Sequence, residues 1–192
     1  MQSAENSPLP GVLDADLYQE ICRLKSDYFF ALDTKDWDRL RGVFHADARF
    51  EGFTFDGRGA DDFVRGVSEW LRDMRTVHHG MMPDIRRVSP ARIRGRWAMS
   101  DYLTWRDRDF VYKGFEIPGM YGVRGYGFYD EEYAQQDDGR WKISFMRLTR
   151  LWIDPLVGDY IDPPRYNVPA VDRNWLEPAW TEQVRALNEI AG

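Results

Sequence analysis

Residues 92–106 read RIRGRWAMSDYLTWR. The residue types alternate. One set is Ile93, Gly95, Trp97, Met99, Asp101, Leu103 and Trp105; the other is Arg94, Arg96, Ala98, Ser100, Tyr102 and Thr104. A period of two sends successive side chains to opposite faces of a strand. The stretch therefore predicts a long strand with one apolar face, and it sets Asp101 in the middle of that face. An unpaired buried carboxylate is costly, so Asp101 needs a cation, a ligand or a site to serve.

The same period extends outward. Residues 76–88 predict a strand interrupted by Pro83, residues 119–134 another, and residues 140–153 a fourth, with a turn at Asp137–Gly139. In the last of these, Trp141, Ile143, Phe145, Arg147, Thr149, Leu151 and Ile153 share one face. Arg147 thus also falls among core residues. Alternation alone leaves two readings open: a buried Asp101–Arg147 ion pair, or a functional pocket. Gly119, Gly122, Gly125 and Gly127 read as bulges or bends in a strongly curved sheet rather than as a phosphate cradle.

Upstream the period is helical. Leu17, Ile21, Leu24, Tyr28 and Leu32 form one apolar stripe, with Asp14 or Asp16 as its cap. A second helical piece follows around Trp37, Leu40 and Phe44. Residues 47–58 read as a strand pair or one strand with a turn. Residues 60–73 form a third amphipathic helix carrying Phe63, Val67, Trp70 and Leu71. Helices first and long antiparallel strands afterwards is an α+β order. The expected layout is a loose lead-in at 1–13, an α+β domain at 14–157, and a proline-rich extension at 158–192 with a short helix near 178–190.

Composition narrows the function classes. The chain has 192 residues, 15% of them aromatic, and a formal charge of -6. Aromatics supply core mass and also line pockets for apolar ligands. The negative charge argues against unspecific nucleic-acid binding, which rests on Lys and Arg neutralising phosphates. The single cysteine, Cys22, cannot form an internal disulfide. No apolar run approaches the roughly 18 residues of a membrane span. The first residues lack the basic start and apolar run of a secretory leader, so a soluble cytoplasmic protein is expected. There is no glycine-rich nucleotide fingerprint, no nucleophile elbow and no H-E-x-x-H; neither cofactor nor metal is expected.

There are three histidines, His45, His78 and His79. His45 reads as a surface or cap residue. His78 and His79 are adjacent on a strand, so one of them must face inward. Near neutral pH an inward imidazole serves either as a proton acceptor or as a satisfied core residue. Tyr28 lies on the apolar stripe of the first helix. Asp33 lies at that helix's C-terminal end, where the helix dipole disfavours negative charge. Asp33 is either a turn former or a functional group.

Residues 17–51, LYQEICRLKSDYFFALDTKDWDRLRGVFHADARFE, resemble the opening of the SnoaL-like branch of the nuclear transport factor 2-like superfamily. VHHGMMPDI (77–85), RGRWAMSDYL (94–103) and ISFMRLTRLWIDP (143–155) resemble its later strands. The nearest likeness is to bile-acid dehydratase, scytalone dehydratase and hexachlorocyclohexane dehydrochlorinase. The resemblance implies a cone-shaped α+β barrel, with N-terminal helices packed on a strongly curved, mainly antiparallel sheet. It implies a homotrimer and a cofactor-independent lyase. The expected reaction is loss of water from a hydrophobic, carbonyl-containing small molecule of steroid-like or polyketide-like kind. It carries five catalytic positions onto Tyr28, Asp33, His78, Asp101 and Arg147. Trp97, Met99, Phe53 and Phe145 are expected to line the substrate pocket. An isomerase or cyclase using the same base, and a non-catalytic ligand-binding or dioxygenase β-subunit-like protein, stay open as alternatives.

Overall fold

The computed structural model describes residues 11–53 and 59–161. The chain divides into two units after Tyr160. The first unit holds every element described below. The lead-in through residue 10 and the expected helix near 178–190 lie outside the described residues.

The first helix, α1 (Ala15–Thr34), starts where Asp14 accepts the Leu17 N–H at 2.8 Å. It ends at Lys35, whose φ of 60° supplies the left-handed turn of a helix C-terminus. Asp36 then caps the short α2 (Trp37–Gly42). β1 (Phe44–Glu51) follows and ends in a bend at Gly52–Phe53. α3 spans Gly59–Trp70. The four long strands come last: β2 (Arg75–Ser89), β3 (Arg92–Thr104), β4 (Met120–Gln135) and β5 (Trp141–Val157). Among the described residues no helix is long and apolar enough to cross a membrane.

The five strands form one curved sheet in the order β1-β5-β4-β3-β2. Only the β1–β5 pairing is parallel. α1 packs against β2 and β5, and α3 against β1. The apolar face of α1 thus closes one side of the sheet, and a row of aromatic edges fills the space between. Tyr28 meets Phe44 and Tyr129 edge-on, with centroids 5.9 Å apart in each case. Phe50 stacks on Phe63 at 3.7 Å. Contacts of these kinds contribute about 0.5–1.5 kcal/mol each beyond burial. This is the α+β cone of the sequence expectation.

Register decides which polar groups enter the cone. Asp101 on β3 lies opposite His78 on β2 and Gly125 on β4. Directly opposed residues share a face, so His78 points inward with Asp101 and His79 points outward.

The expectation for Arg147 is corrected. On β5, Phe145 pairs with Glu132 while Ile143 pairs with Tyr133, so Ser144 is an extra residue. This bulge flips the parity of the residues that follow, as far as Arg150, where a second shift at Leu151 restores it. Ile143 faces in, and then Met146, Leu148 and Arg150 face in, with Arg147 and Phe145 turned to the outer face. Arg147 is exposed there and donates to Glu51 at 2.7 Å. Phe145 lies between two guanidinium groups, 5.4 Å from that of Arg49 and 5.5 Å from that of Arg147.

Candidate active site

α1 delivers Asp33 to the site because its left-handed cap turns the chain immediately after the last helical turn. β2 runs past that end and delivers Thr76 and His78. The Asp33 carboxylate then accepts three hydrogen bonds. They come from His78 Nδ1 at 2.6 Å, from the His78 backbone N–H at 2.7 Å and from the Thr76 hydroxyl at 2.8 Å. Lys35 Nζ in turn donates to Thr76 at 2.9 Å. Burial pushes the Asp33 carboxyl up, but the His78 ring, its N–H and Thr76 outweigh burial and hold it below the usual carboxylate range. An ionised carboxylate can only accept, so the imidazole carries its proton on Nδ1. Nε2 is left as the basic nitrogen.

His78 opens onto a small, tightly lined pocket with a cavity volume of about 40 Å³. Leu32, Val67, Trp70, Leu71, Leu103 and Leu148 give it apolar walls, and Phe53 closes one side. Tyr28 and Tyr129 lie side by side in the wall. Their hydroxyls share a hydrogen bond, and burial raises both phenols far above their ordinary value. Two phenols with one shared bond leave one O–H for a ligand oxygen.

Asp101 is paired, though not with the expected arginine. Arg150 Nη1 donates to Asp101 Oδ1 at 2.9 Å, and Nη2 donates to Oδ2, a bidentate pair. The Asp101 side chain is 1% exposed. Arg150 lies opposite Gly127 and reaches diagonally across Gly125. A Cβ on Gly125 would sit on the guanidinium and on the Asp101 carboxylate. Glycine at 125 is therefore what makes room for the pair.

Tyr28, Asp33, His78, Asp101 and Phe53 thus come together, and Arg147 and Phe145 do not. Trp97 and Met99 are buried but do not line the pocket. Trp97 instead donates to the Tyr133 hydroxyl at 2.9 Å, within a second buried cluster. There, Lys25 pairs with Glu131, and Tyr133 donates to the same carboxylate. Lys25 Nζ lies 3.8 Å from the Tyr129 ring centroid and 4.2 Å from that of Tyr28, directly behind the phenol pair.

Sequence reasoning missed Arg150, Tyr129, Lys113 and the Lys25–Glu131 pair. Lys25 carries a signal: it lies four residues after Ile21 and three before Tyr28, on the apolar stripe. Glu131 carries one as well, because it alternates with Tyr129 and Tyr133. Among the described residues no group of three or more His, Cys, Asp or Glu is arranged to share a metal ion.

Comparison with known proteins agrees with this architecture. Residues 14–147 match the model of the SnoaL-like domain. Among solved structures, the hexachlorocyclohexane dehydrochlorinase of Novosphingobium barchaimii superposes with a TM-score of 0.63 at 21% identity, covering 78% of this chain and 96% of that one. A scytalone dehydratase candidate from Novosphingobium aromaticivorans gives 0.61 at 21% identity, covering 77% and 93%. An aromatic ring hydroxylase candidate from the same organism gives 0.63 at 18% identity, covering 76% and 96%. At these identities the likeness to the three structures is one of fold. With the family match spanning residues 14–147, the chain belongs to the SnoaL-like branch of the nuclear transport factor 2-like superfamily.

Proposed function

We propose that this protein is a cofactor-independent lyase that removes water from a hydrophobic, carbonyl-containing small molecule. The observation that carries the reading is the His78–Asp33 pair. Its geometry leaves a basic Nε2 at the wall of an apolar pocket. Two of the structural neighbours bear the names of a dehydrochlorinase and a dehydratase, and both names describe eliminations.

The chemistry follows from the placement of groups. His78 Nε2 takes the proton from the carbon next to the carbonyl, and the C–H electrons begin to form the C=C bond. Asp33 stabilises the imidazolium and keeps the ring in its orientation. The free O–H of the Tyr28–Tyr129 pair donates to the carbonyl oxygen as it gains charge. The C–O electrons leave with the hydroxyl group, which takes the proton back from His78 and departs as water. His78 returns to its neutral tautomer. The Asp101–Arg150 pair fixes the polar end of the pocket, and the apolar walls exclude water, which strengthens each of these interactions.

The test is incubation with a panel of hydrophobic β-hydroxy ketones and thioesters, followed by mass spectrometry. Loss of water, abolished by His78→Ala, supports the reading. An unsaturated ketone rearranged without change of mass, by the same base, makes the protein an isomerase instead. No turnover of any panel member by the wild type contradicts both.

A further inference from the structure

The connection between β3 and β4 contains a tight turn at Tyr112–Phe115. Phe115 N–H donates to the Tyr112 carbonyl at 2.9 Å, and Lys113 and Gly114 both hold positive φ, 49° and 81°. That is a type I′ turn, whose central positions suit glycine, asparagine or aspartate. Lysine at the first of them is strained, and a strained position of this kind wants a reason. The turn delivers the Lys113 side chain to the wall of the pocket, beside Asp101 and Arg150.

The charges there do not balance. Asp33 is matched by Lys35 through Thr76, and Asp101 is held bidentately by Arg150. Lys113 is the remaining cation, and it has no carboxylate of its own among the described pocket residues. Three polar atoms are also buried without a hydrogen-bond partner among the described residues: Arg150 Nε, the Tyr112 hydroxyl and Trp105 Nε1, all able to donate. Of the three residues, Arg150 lines the pocket, while Tyr112 and Trp105 lie behind its wall. Tyr112 is fully buried, stacked on Trp105 at 5.7 Å and tilted against Trp70 at 5.8 Å. Its hydroxyl is close enough to feel the charges of Asp101 and Arg150.

We propose that Lys113, with Arg150 Nε–H, forms an anion subsite, and that the substrate carries a carboxylate on its apolar body. The proposal rests on the pocket being the substrate site. It adds the substrate's charge, which the lyase reading does not supply. Burial first and then the Arg150 charge bring the Lys113 ammonium down to about 8, against the opposing pull of Asp101. A bound carboxylate would restore the balance that this ammonium lacks.

The experiment compares benzoate with benzamide, which have nearly the same shape, by NMR titration of the full chain at neutral pH. The wild type should bind benzoate about tenfold more tightly, the size of one charge-assisted hydrogen bond. Lys113→Met should reduce that ratio to near unity. Lys113→Gly provides a readout that a structural role would not give. It should raise the melting temperature by about 2–4 °C through relief of the turn while losing the benzoate preference. Equal binding of the two probes by wild type, or a preference unchanged in Lys113→Met, overturns the proposal. His78→Ala should keep the preference while losing turnover, so failure of the lyase reading and failure of the subsite are separately visible.

Discussion

His78 Nδ1 lies 2.6 Å from Asp33 Oδ1, and the other oxygen of the same carboxylate accepts the backbone N–H of His78 at 2.7 Å. One side chain therefore fixes both the ring and the strand that carries it. Replacing Asp33 with Asn removes the charge and presents an amide that can donate to Nδ1, which favours the wrong tautomer. Asp33→Asn should lower kcat by about 10²–10⁴-fold while circular dichroism stays unchanged. A kcat within twofold of wild type would contradict the assigned role.

The same carboxylate sets a pH dependence. Asp33 has its folded pKa held below the ordinary value, so its contribution to stability is full above about 3.9. That contribution is lost as pH falls through the lower, folded value. Melting temperature followed against pH should drop for wild type below about 4, and the Asp33→Asn curve should be flatter over the same range.

Two arginines three residues apart should behave differently. Arg150 neutralises a carboxylate that is 1% exposed, whereas Arg147 meets Glu51 on the open face. Arg150→Ala leaves Asp101 buried and alone and should cost about 3–5 kcal/mol in urea denaturation. Arg147→Ala should cost at most about 1 kcal/mol and leave turnover unchanged.

Gly125→Ala tests the same pair without removing a charge. The new methyl occupies the space where the Arg150 guanidinium crosses to Asp101. Overpacking of this kind should cost about 1–3 kcal/mol and weaken binding of a carboxylate ligand as the pair moves. Unchanged stability together with unchanged binding would show that the pair does not need this gap.

The Lys25–Glu131 pair should show strong coupling. Lys25→Met strands a buried carboxylate, at a cost of about 3–5 kcal/mol. Adding Glu131→Gln should recover most of that loss. A double-mutant cycle by chemical denaturation measures the coupling; additive losses would contradict it.

Much of this was legible in the letters. Period two in 92–106 is a direct consequence of strand geometry, and it put Asp101 inside the cone. The same rule failed at Arg147. Alternation holds only until an extra residue enters, and nothing in ISFMR marks Ser144 as that residue. A bulge is a property of the pairing between two strands, so one strand's composition does not show it. The choice of His78 over His79 came from the family resemblance, and register against Asp101 gives the same inward side chain. Lys25 has no visible reason to lie on an apolar stripe until its partner, 106 residues later, is in place. Lys113 was invisible for a different reason: a positive φ on a non-glycine residue leaves no trace in composition.

The central claim is that His78, held by Asp33, removes a proton from carbon. The most direct measurement is deuterium uptake from heavy water at the α-carbon of a hydrophobic ketone such as 2-tetralone, followed by NMR with wild type and with His78→Ala. Uptake at least about 100-fold faster with wild type is the expected result. Equal rates for the two proteins would contradict it.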